Sequence, residues 1–158
     1  MIIGKGLQGI VTANNNEVCT KTRKFRNEIG KVDSVKELYY AKIASEIGVG
    51  PKIYSSKVDN TEISFTMEKV IPYKYNYDLT DEDKNKIKAL FEKLSKQSPP
   101  FLPVDFFLGY KDDKWYLVDY GVTLEFSTEE EFWLGLKEYL DEGTGLRIVD
   151  VLIPILEK

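Results

Sequence analysis

Histidine is absent from the 158-residue chain. Without it neither a Ser-His-Asp triad nor a histidine-ligated metal site can form. The usual general base of neutral pH is missing too. Chemistry is left to carboxylates, lysines, backbone amides or a hard metal ion. Cysteine occurs once, at Cys19, which excludes an intrachain disulfide and the cysteine spacing of a structural zinc site. A lone thiol fits a reducing cytoplasm most simply. There is no apolar run of about 18 residues, and the first residues lack a secretory-signal pattern, so no membrane association is expected. Positive charge is not in excess either. The 22 Lys and Arg stand against 26 Asp and Glu, a net charge of −4, so nucleic acid is not an expected partner.

What is present is the composition of a folded protein, 42% hydrophobic and 13% aromatic. The length suits one domain, or two small lobes sharing a core. β-Prone stretches fill residues 1–24, with Asn14-Asn15-Asn16 as a turn. Helical spacing predicts a helix over 34–47, opened by Ser34 and stopped before Gly48 and Pro51. Two further strands flank Asp59-Asn60. A second helix over 81–96 has Thr80 as N-cap and Ile87, Leu90, Phe91 and Leu94 as its apolar stripe. "SPPFLP" at 98–103 reads as loop. A hairpin turns at Asp112-Asp113. Ser127 and Glu130 read as a capping box before a helix carrying Phe132, Leu136, Tyr139 and Leu140. A last helix is expected from about Leu146, weakened by Pro154. Strands with one helix, followed by helices with one hairpin, make the class α+β.

Residues 4–11, "GKGLQGIV", fill every fixed position of G-x-G-x-x-G-x-V with Gly4, Gly6, Gly9 and Val11. Glycines so spaced let a backbone approach phosphates. In the dinucleotide fingerprint they open a helix. Here Ile10-Val11-Thr12-Ala13 runs straight into three asparagines, which suits a hairpin instead. A P-loop needs Gly-Lys-Ser/Thr after its spacer, and Ile10 follows Gly9. Further along, "Val18-Cys19-Thr20-Lys21" places Cys19 and Lys21 on one strand face. By itself Lys21 could equally be a solvated lysine in a basic stretch. At about 100° per residue, Ala41 lies roughly 40° and Ala44 roughly 20° from Glu37, while Glu46 points roughly 180° away. Glu37 thus falls in the apolar stripe and wants a cation, for which Lys21 is the candidate. The alternative is a capping box, Ser34-x-x-Glu37. "Phe65-Thr66-Met67-Glu68-Lys69-Val70" ends a strand, and "Tyr116-Leu117-Val118-Asp119-Tyr120-Gly121" is a strand followed by Asp-aromatic-Gly.

In order, these features resemble the protein-kinase-like superfamily, nearer its small atypical members, most strongly over residues 3–121. The glycine hairpin matches the loop that folds over ATP phosphates, and Val18–Lys21 is similar to V-A-I-K. Residues 48–54 resemble the G-V-x-P-x-x-Y link of small atypical kinases. The resemblance implies a bilobal fold, with residues 1–71 as an antiparallel N-lobe with one helix and 72–158 as a reduced, mostly helical C-lobe. It further implies that Lys21 holds the α/β-phosphates, Cys19 touches adenine and Glu37 pairs with Lys21. Met67 would guard the pocket while Glu68 and Val70 border the adenine edge, and Asp119 would bind Mg²⁺. The implied activity is transfer from Mg-ATP to a protein Ser/Thr hydroxyl. A pseudokinase acting through protein contacts is the alternative.

Two departures stand out. The catalytic loop H-R-D-x-x-x-x-N is replaced by "SPPFLPVDFFL", whose one acid is Asp105. Asp105 takes either the place of the metal-binding Asn or, in a shortened loop, that of the base; a strand-start Asp without metal is also open. No A-P-E motif follows Asp119, so the platform for a peptide substrate is small.

Overall fold

Two carboxamide and carboxylate turns set the first sheet. The Asn15 side chain accepts the amides of Glu17 (2.7 Å) and Val18 (2.9 Å), and Asp59 does the same for Thr61 and Glu62. In the computed structural model, which describes residues 2–6, 9–74 and 78–142, five strands follow from these turns. They are β1 (Ile2–Gly6), β2 (Gly9–Ala13), β3 (Val18–Lys24), β4 (Ile53–Val58) and β5 (Glu62–Glu68), in spatial order β1-β2-β3-β5-β4, all antiparallel. The helix α1 (Glu28–Glu46) joins β3 to β4 and packs on β5 and β4. Alternation along β5 sends Ile63, Phe65 and Met67 inward, where they meet Cys19 and Leu38 in a small core.

The second part opens with β6 (Ile71–Pro72), then α2 (Asp81–Ser95) and β7 (Phe101–Pro103). The hairpin β8 (Phe107–Lys111) and β9 (Lys114–Val118) follows, then β10 (Thr123–Glu125) and α3 (Glu129–Glu142). Asp112 and Asp113 at the hairpin tip have φ of 50° and 63°, the pair of left-handed residues that a two-residue loop requires. β6, β8 and β9 form one antiparallel sheet, and β7 pairs with β10 in another. A larger core gathers Ile87, Phe91 and Leu94 of α2 with Phe101, Leu117, Phe132 and Leu136. It reaches α1 through Ala41 and Ala44, and the Leu117 amide donates to the Val49 carbonyl (2.9 Å). The chain is α+β, with three helices and antiparallel sheets among the described residues. None of these helices is long and apolar enough to cross a membrane.

Four expectations need correction or fall outside the description. The first helix starts at Glu28, not Ser34: the Asn27 side chain caps it by accepting the Gly30 amide (2.8 Å). Ser34 lies inside the helix and donates its hydroxyl to the Gly30 carbonyl (2.8 Å), so it caps nothing and the Ser34–Glu37 box does not form. The expected loop at 98–103 contains β7, because Phe101 and Leu102 are buried and pair across to β10. The third helix is capped one residue later than read: Thr128 accepts the Glu131 amide (3.1 Å), and Glu131 accepts from Ser127 (3.1 Å). The helix expected from Leu146 lies outside the described residues.

Thr80 and Asp83 form a capping box, and Asp83 also accepts the Trp115 indole N–H (3.0 Å), tying α2 to β9. The indole first, then Thr80, hold the Asp83 carboxyl below its ordinary 3.8 against the opposing effect of burial. A depressed folded-state value means stability that is present above 3.8 and lost as pH falls through the folded value. Urea titrations of wild type and Asp83→Asn should therefore diverge at neutral pH and converge below that window.

Candidate functional site

The register of the first sheet builds one wall of a cavity of about 470 Å³. Val11 opposes Lys21, and Lys21 opposes Phe65; Cys19 opposes Met67, and Met67 opposes Ile53. Opposed residues share a face, so these six line the cavity together. Glu37 and Ala41 enter from α1, and Glu68, Lys69 and Val70 border it past the end of β5. Phe107, Val118, Asp119 and Tyr120 close it from β8 and the end of β9. The cavity is therefore a seam between the two sheets and one helix.

Its polar end is organised by charge. Lys21 Nζ lies 2.5 Å from Glu37 Oε2 and 3.9 Å from Asp119 Oδ1. Glu37 is 4% exposed and Asp119 30%. Burial pushes the Glu37 carboxyl above its ordinary value, and Lys21 only partly offsets this. Asp119 sits in the left-handed region at φ 81°, and its Oδ1 accepts the Gly121 amide (3.1 Å). A short carboxylate that bonds its own turn tolerates that conformation, and the turn presents the carboxylate at the cavity. Burial also raises the Cys19 thiol, with Lys69 pulling the other way.

The Glu68 side chain is taken up structurally. It accepts the Lys52 amide (3.3 Å), lies 3.8 Å from Lys111, and accepts the Tyr116 hydroxyl. Burial and Glu68 together push Tyr116 up to about 12. Tyr120 was legible as the aromatic of Asp-aromatic-Gly but not as a wall. It is fully packed, donates to the Leu117 carbonyl (2.9 Å), and presses on Gly50 so closely that a Cβ there would lie 3.2 Å from its hydroxyl. That contact explains the glycine before Pro51. Pro51, Ile53, Phe65 and Phe107 also line the cavity without having been singled out; burial of a strand end gives no sequence signal that separates a wall from a core.

Of the expected site residues, Val11, Cys19, Lys21, Glu37, Met67, Glu68, Val70 and Asp119 come together. The glycine stretch is a hairpin, with Gly4 opposite Val11 and Gly6 opposite Gly9. A strand, not a helix, follows Gly9, which removes the dinucleotide-fingerprint reading. Gly9 has φ 128°, and a Cβ there would meet the Thr22 carbonyl oxygen at 2.5 Å, so its role is to let β2 lie against β3. Asp105 does not join the cavity wall. It is exposed, between β7 and β8, and its charge is felt by Tyr139. The neighbouring Val104 amide donates to the Val122 carbonyl (2.9 Å), which keeps Asp105 near the turn that follows Asp119. Among the described residues no group of three acidic or sulfur ligands is placed to hold a metal by itself.

No protein-family model matches the chain, and no curated protein matches it in sequence.

The Lys21–Glu37 pair sets a measurable expectation. In Lys21→Met a buried carboxylate loses its hydrogen-bonded counter-charge and keeps only the weaker influence of Arg23, which should cost roughly 3–5 kcal/mol at neutral pH. Glu37 already titrates above its ordinary value, and removing Lys21 raises it further, so the loss should shrink in acid where the carboxyl is protonated. Chemical denaturation of Lys21→Met and of Lys21→Met/Glu37→Leu across pH tests both points; the double variant should recover much of the stability.

Proposed function

We propose that this chain is a minimal kinase-like phosphotransferase. In this reading a bilobal, protein-kinase-like domain holds Mg-ATP in the cavity and serves a protein Ser/Thr hydroxyl as acceptor. The observation that carries the reading is the Lys21–Glu37 pair, buried inside a largely apolar cavity with Asp119 beside it. A cation fixed by a buried partner at one end, and apolar walls at the other, suit a ligand with phosphates and a flat ring. A volume of about 470 Å³ accommodates a nucleotide.

Mg²⁺ commonly binds through one or two carboxylates plus substrate phosphates. A single partly exposed Asp119 therefore fits a cation that arrives with its nucleotide. Mg-ATP, when bound, supplies the transferable phosphoryl group and neutralises charge as it moves. Lys21 holds phosphate oxygens, and Glu37 fixes the direction of its ammonium. Val11, Cys19 and Met67 exclude water from the ring. Val70, Met67 and Glu68 border the ring's edge, and the strands bearing Gly4, Gly6 and Gly9 would cover the phosphates. Asp105 stands outside the cavity, which favours the acceptor side over the metal: it takes the proton of the incoming hydroxyl.

An Asp105 with no place at the cavity wall also suits a second reading, a pseudokinase: a nucleotide-binding or scaffold module acting through protein contacts. Phosphoryl transfer depends mainly on positioning and charge, and a base contributes about 10²–10⁴-fold. Thermal denaturation with ATP, with and without Mg²⁺, tests the shared part. Stabilisation of about 2.7 kcal/mol is expected at a hundredfold excess over Kd. No shift under either condition would remove the nucleotide reading and leave only the scaffold. If ATP binds, radiolabelled γ-phosphate should pass to a protein acceptor with wild type and not with Asp119→Ala. Binding without transfer by wild type identifies the pseudokinase.

A further inference from the structure

The least expected surface of the molecule is the outer face of α1. Val32, Val35 and Tyr39 are 51%, 45% and 56% exposed, and Ile29 is 73% exposed. At about 100° per residue, Val32, Val35 and Tyr39 fall within roughly 60° of one another, opposite the buried Glu37, Ala41 and Ala44. The helix is thus apolar on both sides. Its inner side is used by the core; on its outer side Tyr39 borders a small recess with Gln97, Ser98 and Pro99, and Val32 and Val35 stay about half-exposed. Contiguous exposed apolar area of this kind marks an interaction surface.

We infer that α1 packs antiparallel against α1 of a second copy of this chain, forming a weak homodimer. The charges at the ends of the stripe select this occupant. Glu28, Val32, Val35, Tyr39 and Lys42 recur at alternating spacings of four and three, the pattern of a helix–helix seam. An antiparallel two-fold arrangement about Val35 brings Glu28 level with Lys42 of the second copy and Val32 within one residue of its Tyr39. A parallel arrangement would instead stack Glu28 on Glu28 and Lys42 on Lys42. Only the antiparallel form pairs opposite charges at both ends, and it is isologous as a closed dimer requires. Tyr39 is already held edge-on by Tyr40, with ring centroids 5.2 Å apart, so little freedom is lost on packing it. Lys36 flanks the seam and borders a polar cavity with Asp33 and Glu125, which gives its charge carboxylates to face.

A contact of about three helical turns is smaller than the roughly 1,200 Å² of a stable interface, so dissociation in the micromolar range is expected. The inference is independent of the nucleotide reading. Sedimentation equilibrium of the full chain over a wide concentration range tests it. Wild type should show a monomer–dimer equilibrium, and Val35→Glu, a surface change, should remain monomeric with an unchanged far-UV spectrum. Glu28→Lys and Lys42→Glu should each weaken the dimer about tenfold, since each change acts twice across the two-fold. Glu28→Lys/Lys42→Glu should restore it. A mixture of Val32→Cys and Tyr39→Cys should form the mixed disulfide under mild oxidation. A wild type that is monomeric throughout, as when another segment of the same chain covers this face, would overturn the inference. So would a dimer indifferent to Val35→Glu.

Discussion

Lys21 and Glu37, sixteen residues apart on successive elements, meet 2.5 Å apart and nearly out of reach of water. Two buried charges are tolerated only when their geometry is good, because desolvation costs several kcal/mol per ion. Much of the fold serves that requirement. β3 is held on both sides by β2 and β5, which fixes where the lysine points. On the inner face of α1 Ala41 and Ala44 are both buried and Leu38 packs into the small core of the first sheet, so the helix lies near enough for a glutamate to reach. Asp119, presented by a left-handed turn, adds a second carboxylate that leaves Lys21 with more acid nearby than one ammonium neutralises.

The two halves of the molecule are stabilised differently. The first sheet has a small core built on the alternation of β5, and it depends on register: a slip of one residue would turn Cys19, Lys21, Phe65 and Met67 away from the cavity together. The second half is packed around Phe91, Phe101, Phe132 and their neighbours, and its strands are short. The cavity lies where the two meet. One wall is therefore set by backbone pairing and the other by side-chain packing.

Legibility in the sequence followed the range of the physics. Local signals were readable: the Asn15 and Asp59 turns, the Thr80 cap, the stripe of Ile87, Leu90, Phe91 and Leu94, and the Asp112-Asp113 hairpin all act within a few residues. Glu37 was readable because a carboxylate in an apolar stripe needs an explanation wherever its partner lies. The start of α1 was not, because residues 28–33 bury no side chain and so carry no amphipathic signal, leaving Asn27 to set the boundary. β7 hid behind its prolines, since Pro103 ends a strand whose partner lies twenty residues on. Asp105 was the hardest, because whether a loop carboxylate faces a cavity depends on contacts that no local pattern encodes.

The same helix has one more property. Its first buried residue is Ser34, and from there it is pinned by Glu37 to β3, by Tyr40 to Glu125 of β10, and by Ser45 to the amide of Ile53. The six residues before Ser34 bury no side chain, and the chain is fixed again just ahead of them, where the Phe25 amide donates to the Thr61 carbonyl (2.8 Å) and the Phe25 ring packs on the small core of the first sheet. The helix is thus a span supported at both ends, and Glu37, three residues past Ser34, keeps its place against Lys21.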